Sequence, residues 1–284
     1  MKITAITATN LEPKYLECAP IFVKFWLCQT EHPRNRYRPL VIVVAHELPP
    51  ELETLKEYCV VHPAPPGVSS VFTSQFIRAL YAPIVDSDFV LTSDVDMLPL
   101  SAKVFDYVLG ATGASRETFS VCRDVLELGQ YPICYNLATP RTWSSVTGVT
   151  SRGDIDSLLV DSFHEANSSN KGYDDGHGAK GWFTDQEFLF RQVEHFKDGG
   201  GIVKRFTDRQ TKHMRLDRLF TRTPLKWLVA PIVFFGALTD YHVHHPVRRF
   251  RNYIATVHWF LESGVKWRRK RRLSRSVNEG EIRH

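Results

Sequence analysis

The stretch Phe89-Val90-Leu91-Thr92-Ser93-Asp94-Val95-Asp96-Met97-Leu98-Pro99 decides how the rest of the chain is read. Its first four residues are strand formers, and Pro99 cannot donate to a ladder. Between them stand two carboxylates one residue apart. In extended chain, residues i and i+2 project to the same side. Asp94 and Asp96 can therefore offer oxygen ligands to one hard divalent cation, Mn2+ or Mg2+. Acids at the carboxyl end of a strand in an open α/β sheet stand where such sheets bind nucleotides. Taken alone, the pair also describes an ordinary strand-to-turn corner with solvated acids. The surrounding pattern has to separate the two readings.

Upstream, residues 3–9 alternate β-branched and small side chains, as a first strand does. Residues 15–29 carry Leu16, Ala19, Phe22, Val23 and Trp26 at helical spacing. The apolar run 40–45 fits a strand covered on both faces. Residues 51–58 read as a short helix and 59–62 as a short strand. A proline-rich loop follows at 63–67, and then a helix capped by Ser69 or Ser70 and running to about Ala82. Strands and helices alternate up to the two aspartates, which predicts a mostly parallel sheet with helices on both faces.

Downstream, 119–122 and 133–138 read as short strands, and 167–181 as a loop rich in Asn, Ser, Gly and Asp. Thr184 and Glu187 have capping-box spacing at the start of a helix to about Lys197. Gly199, Gly200 and Gly201 end it, and a strand at 202–206 follows. Residues 246–273 read as a basic, partly amphipathic helix. The expected division is a catalytic domain over 1–245 and a helical extension over 246–284.

The 284 residues, 43% hydrophobic and 12% aromatic, are ample for one large core. The net charge of +5 is a property of the tail. Lys266, Arg268, Arg269, Lys270, Arg271, Arg272 and Arg275 supply seven positive charges; removing them from 36 leaves 29 basic residues against 31 acidic. A body without a basic face argues against nucleic acid as partner. Trp259, Phe260 and Trp267 interleave with the tail's cations, which fits peripheral contact with an anionic membrane. Five scattered cysteines with no C-x-x-C argue against a disulfide framework or cysteine zinc site, and point to a reducing compartment. No leader is legible at the start. The most apolar run, 228–238, is well short of the ~20 residues a membrane helix needs. The expected location is the cytoplasm.

The order strand, helix, strand, arginine-bearing helix, then Phe-Val-Leu-Thr-Ser-Asp-Val-Asp resembles the GT-A-fold glycosyltransferases. Trp182-Phe183-Thr184-Asp185-Gln186 is similar to the Asp-Gln element at the acceptor side of several such families. The small cytosolic glycosyltransferases of large algal viruses are the nearest kind. The resemblance covers residues 1–215. It implies a Rossmann-like α/β/α sandwich and transfer of a sugar from a nucleotide-diphosphate donor, most simply a UDP-sugar, to a glycan acceptor. With the viral resemblance, UDP-xylose stands ahead of UDP-glucose.

The same resemblance assigns roles. Thr7, Ala8 and Thr9 would approach the base and ribose. Arg78 would reach the donor, its planar fork matching phosphate oxygens. Asp94 would contact the ribose or metal, and Asp96 would ligate the metal. Asn136 would contact the transferred sugar. Each position has an ordinary alternative: a strand end, a surface arginine, a turn asparagine. Asp185 is the candidate base, since inverting transfer needs a carboxylate to take the acceptor hydroxyl's proton, and a helix N-terminus favours its charged form. With retention, Asp185 would instead orient sugar or acceptor. His213 is the candidate third metal ligand, with His242, His244 and His245 competing, of which His242 and His244 would share one face if extended.

Two other functions keep the same residues in play. A nucleotidyltransferase acting on sugar phosphates would share the sheet, but such enzymes carry a glycine-rich loop after the first strand. Here that loop is Thr9-Asn10-Leu11-Glu12-Pro13-Lys14. A non-enzymatic membrane- or nucleic-acid-binding protein would use the tail and leave the aspartates, Arg78 and Asp185 without a role.

Overall fold

The computed structural model describes residues 1–29, 35–112, 117–124, 129–168, 173–174, 180–217, 223 and 228–281. The chain opens with β1 (Lys2–Asn10), α1 (Pro13–Leu16), α2 (Ala19–Leu27), β2 (Arg36–Val44), β3 (Cys59–Val61), α3 (Ser70–Tyr81) and β4 (Phe89–Thr92). Then come β5 (Met97–Pro99), α4 (Lys103–Ala111), β6 (Thr118–Val121), β7 (Asn136–Ala138), α5 (Pro140–Thr147), α6 (Arg152–Ser168) and α7 (Thr184–Asp198). The last elements are β8 (Ile202–Arg205), α8 (Asp208–Thr211), β9 (Arg215–Leu216), α9 (Val229–Phe235), β10 (Asp240–His242) and α10 (Arg251–Glu281).

The central sheet has seven strands in the order β3-β2-β1-β4-β7-β6-β8. All neighbours are parallel except across β7, which runs against both β4 and β6. Alternation along β1 sends Ile3 and Ala5 to one core, and Ile6 and Ala8 to the other. Phe22 and Trp26 of α2 pack on the first face; Phe72 and Phe76 of α3, stacked at 4.2 Å, pack on the second. The chain is thus the α/β/α sandwich with a mostly parallel sheet that its sequence predicts. From β1 the order runs outward through β2 and β3 in one direction, and through β4 in the other. The gap between β1 and β4 is the topological switch point, where open α/β sheets bind ligands beyond their strand ends.

Several elements depart from the sequence expectation for local reasons. The helix expected over 15–29 is two pieces, because Pro20 lies in the first turn of α2 and has no N–H to continue a helix from α1. Residues Pro50–Tyr58 form a 3-10 segment. The strand expected at 133–138 keeps only its last residues, since Tyr135 adopts φ 65°, outside strand geometry. Thr184 and Glu187 form no capping box: Phe183 is the N-cap of α7, and the Thr184 hydroxyl donates to Gly181 O at 2.5 Å. A capping box does form at Thr207 and Gln210, opening α8. The loop expected at 167–181 lies largely outside the described residues, and its first two positions are the end of α6.

A second sheet of three strands, β5-β10-β9, sits beside the main one. It joins the chain's last third to the strand end that carries the aspartates. The division expected at 245/246 is not visible in the packing. Tyr253, Ile254, Val257 and Leu261 of α10 are buried in the same core as Phe25 and Trp26 of α2. Among the described residues, no helix is long and apolar enough to cross a membrane.

Candidate active site

A cavity of about 350 Å³ opens at the switch point. Ala8, Thr9 and Asn10 reach it from the end of β1, Ser74, Gln75 and Arg78 from α3, and Asp94, Val95 and Asp96 from the turn after β4. Pro132, Ile133 and Cys134 line another wall, and Trp182, Asp185, Gln186 and His242 complete it. The loop before β7 is held to β4 by hydrogen bonds at its edge. Thr92 Oγ1 donates to Ile133 O at 2.6 Å, and Tyr135 N donates to Thr92 O at 2.7 Å.

The two aspartates lie in a turn, not in extended chain, with Met97 N donating to Asp94 O at 3.1 Å. Their carboxylates therefore diverge. Asp94 turns to Arg78, whose Nη1 bonds its Oδ1. Asp96 turns to the second sheet, where His245 Nε2 stands 3.2 Å and His242 Nε2 3.4 Å from its Oδ2. The two acids line one cavity with different partners, rather than sharing one face of an extended strand.

Register explains how the histidines arrive. β10 runs antiparallel to β5 with His242 opposite Met97, and Val243 N donates to Asp96 O at 2.9 Å. The chain then turns at 244–246, which brings His245 rather than His244 back to Asp96. His244 stacks on Phe250 at 4.8 Å and is buried. Tyr15 of α1 meets the His245 ring edge-on at 5.4 Å. His213, the residue the sequence favoured, is a structural histidine. Its Nε2 lies 2.9 Å from Asp240 Oδ2, Arg215 holds the other oxygen, and neither His213 nor Asp240 lines the cavity. Its Nε2 is thus committed to a buried carboxylate away from the cavity.

Arg78 is only 9% exposed and is committed to the protein. Its Nε donates to Gln75 O at 3.1 Å, its Nη1 to Ser93 O as well as Asp94, and its Nη2 to Asp185 Oδ2 at 3.3 Å. It braces two acids, one from the turn after β4 and one from α7, instead of presenting a free fork to phosphate. Asp185 stands in the first turn of α7 and takes Gln186 N on Oδ1 at 2.9 Å. The helix N-terminus was expected to favour its charged form, but burial dominates. Burial and the nearby Asp94 charge outweigh Arg78 and the Gln186 N–H, pushing the carboxyl up to about 6.

Ala8 and Thr9 line the cavity, whereas Thr7 is fully buried and does not. Asn10 takes the role of third residue at the strand end. Asn136 starts β7 rather than ending a strand, and is fully buried. Its Nδ2 donates to Pro132 O and Ile133 O at 2.7 and 3.0 Å, so it shapes the wall without facing the cavity. Tyr15 and Gln75 carry no role in the sequence reading, Tyr15 because it falls in the long helix that Pro20 interrupts.

Among the described residues, no three His, Cys, Asp or Glu side chains are already drawn together as a metal cage. The donor set nevertheless fits one. Ligand atoms in adjacent positions around a cation lie about 3 Å apart when each metal bond is about 2.1 Å, and the imidazole nitrogens stand at 3.2 and 3.4 Å from the Asp96 oxygen. One carboxylate with two imidazoles is a donor set open to several first-row divalent cations.

No protein-family model and no curated protein sequence matches the chain. Solved structures do. Glycosyltransferases are among the matches. GlyE of Streptococcus pneumoniae TIGR4 shares 14% identity over 93% of this chain at a TM-score of 0.48, and the chain spans 64% of GlyE's length. The galactosyltransferase LgtC, solved with donor and acceptor sugar analogues, shares 13% over 93% of this chain and 95% of its own, at 0.42. A glycosyltransferase involved in glycosylating the major capsid of PBCV-1 shares 11% over 90% and 99%, at 0.42. Overlaps this partial leave the chemistry to be argued from the cavity.

Proposed function

We propose that the protein is a metal-dependent glycosyltransferase, moving a sugar from a nucleotide-diphosphate donor, most simply a UDP-sugar, to a hydroxyl of a glycan acceptor. One observation carries the reading: a cavity at the β1/β4 switch point brings together the Asp94–Asp96 turn, Arg78 and a buried Asp185 with a raised pKa. The nucleotide would sit over Ala8, Thr9 and Asn10. Asp96, His242 and His245 would hold a divalent cation such as Mn2+, which would neutralise charge on a departing diphosphate as a Lewis acid.

In the inverting form, Asp185 takes the proton from the acceptor hydroxyl as its oxygen bonds to the anomeric carbon. The bond from that carbon to the diphosphate oxygen breaks, and the diphosphate leaves with the electron pair. A base with pKa about 6 is ionised at neutral pH while still able to hold the proton it takes. Arg78 fixes Asp94 and Asp185 relative to each other, and so fixes the base against the donor. That same ion pair favours a second reading: with Asp185 bound to Arg78, a retaining reaction would use it to orient the sugar.

Nucleotidyl transfer is less well supported, because the turn after β1 has no glycine and runs straight into Pro13 of α1. A purely binding role leaves the buried, high-pKa Asp185 unexplained. Calorimetry with UDP, with and without Mn2+, tests the assignment. Metal-dependent binding lost in Asp96→Asn is the expected result; UDP binding indifferent to both would sink it. With a donor found by screening nucleotide sugars, the product anomer by NMR separates inversion from retention.

A further inference from the structure

The basic character expected of the tail has an apolar counterpart on a different element. α9 is apolar on two sides. Val229 and Val233 are buried, while Leu228, Ile232 and Phe235, spaced i, i+4, i+7, form a stripe 65%, 42% and 61% exposed. The stripe is continuous with α10. The Trp267 ring, itself 41% exposed, meets Phe234 at 5.6 Å and Phe235 at 6.3 Å. The Arg271 guanidinium stands 5.3 Å over that same ring, and Arg268 Nη1 donates to Phe234 O. Lys270, one turn on from Trp267, is exposed on the same side of α10, and Arg269 is exposed on its flank. The helices approach closely because Gly264 has no side chain; a Cβ there would lie 2.2 Å from Phe234 O.

We propose that α9 and the middle of α10 form a docking surface for an anionic lipid bilayer. Apolar side chains enter the acyl boundary, Trp267 sits at headgroup level, and Arg269, Lys270 and Arg271 meet lipid phosphates. Charge selects this occupant. A second copy seated on the same face would bring the two basic clusters together. Nucleic acid would satisfy the cations but leave Leu228, Ile232 and Phe235 in water. The surface lies on the membrane and does not cross it. α9 leads through residues 236–239 into β10, which carries His242, so the docking face and the cavity are on consecutive elements. The proposal holds whether or not the cavity transfers sugar.

The test is co-sedimentation of the whole chain with vesicles of phosphatidylcholine alone, or of equimolar phosphatidylcholine and phosphatidylglycerol. Binding to the anionic vesicles only is expected, weakening as salt rises. Ile232→Ser with Phe235→Ser should lower partition about tenfold, from lost apolar insertion. Arg269→Gln, Lys270→Gln and Arg271→Gln together should lower it roughly a hundredfold, at about fivefold per cation. All five positions are exposed, so unchanged melting temperatures are expected. Absence of binding, equal binding to both vesicle kinds, or a serine variant that partitions like wild type each overturns the proposal. So does a dimer in gel filtration that the serine variant dissolves.

Discussion

Replacing Asp185 by Asn tests the electrostatics of the cavity without any knowledge of the substrate. The carboxyl is raised from 3.8 to about 6 in the folded chain. A carboxyl with a raised folded pKa holds its proton more tightly in the native state than in the unfolded one. The stability tied to that proton is fully present below the unfolded pKa, and is lost as pH rises through the folded value. Two pKa units correspond to about 3 kcal/mol, given up between about pH 4 and about pH 6. Asn cannot titrate, so Asp185→Asn should lack this slope. Plotted as the stability difference between variant and wild type, the curve should rise through that window in the variant's favour and flatten above it. Urea unfolding at a series of pH values, followed by tryptophan fluorescence, measures it. A difference curve that is flat from pH 4 to 6 would refute the claim that burial governs Asp185. If the proposed chemistry is also right, transfer should fall roughly 10²- to 10⁴-fold in the same variant, as loss of a general base does. Unfolding and activity thus report on separate claims.

Wild-type transfer should decline as pH falls below about 6, where Asp185 becomes protonated; a rate independent of pH there contradicts its role as base. Asp96→Asn, His242→Ala and His245→Ala should each weaken Mn2+ binding by calorimetry. His213→Ala should leave it intact yet lower stability by about 1–3 kcal/mol, since buried Asp240 loses one hydrogen-bond partner while keeping Arg215. Arg78→Gln leaves Asp94 and Asp185 facing each other without a cation, so the acid limb of the activity profile should move to higher pH. Gly264→Ala should cost about 1–3 kcal/mol through the clash with Phe234 O, read as a fall in melting temperature.

The sheet was legible because the signals for β1, β2, α3 and β4 are local. Alternation, an apolar run, a serine cap and a helical stripe each act within a few residues. Ser69 caps α3 through Val71 N and Phe72 N, one of the two positions the sequence offered. Asp94, Asp96, Arg78 and Asp185 could be picked out for the same reason: each follows a recognisable strand end, stripe or helix start. What failed depends on distant pairing. Nothing near residues 240–245 states that β10 will lie against β5, and that register alone decides which histidine meets Asp96. Asn136 failed because the positive φ of Tyr135 shifts the strand start by a few residues. His213 failed because its partner Asp240 is far along the chain. The direction of the Asp185 shift failed because burial is a property of the assembled cavity, whereas helix position can be read from sequence.

The turn from Asp94 to Asp96 is also the seam between two sheets. Asp94 is anchored to the large sheet through Arg78, while Asp96 belongs, through Val243 N and the β5–β10 ladder, to the small one. Neighbouring carboxylates thus answer to separate frameworks. On the proposed reading, a substitution that shifts the β5–β10 ladder would weaken cation binding before nucleotide binding over β1. The two affinities can drift independently under mutation, although one residue parts their acids.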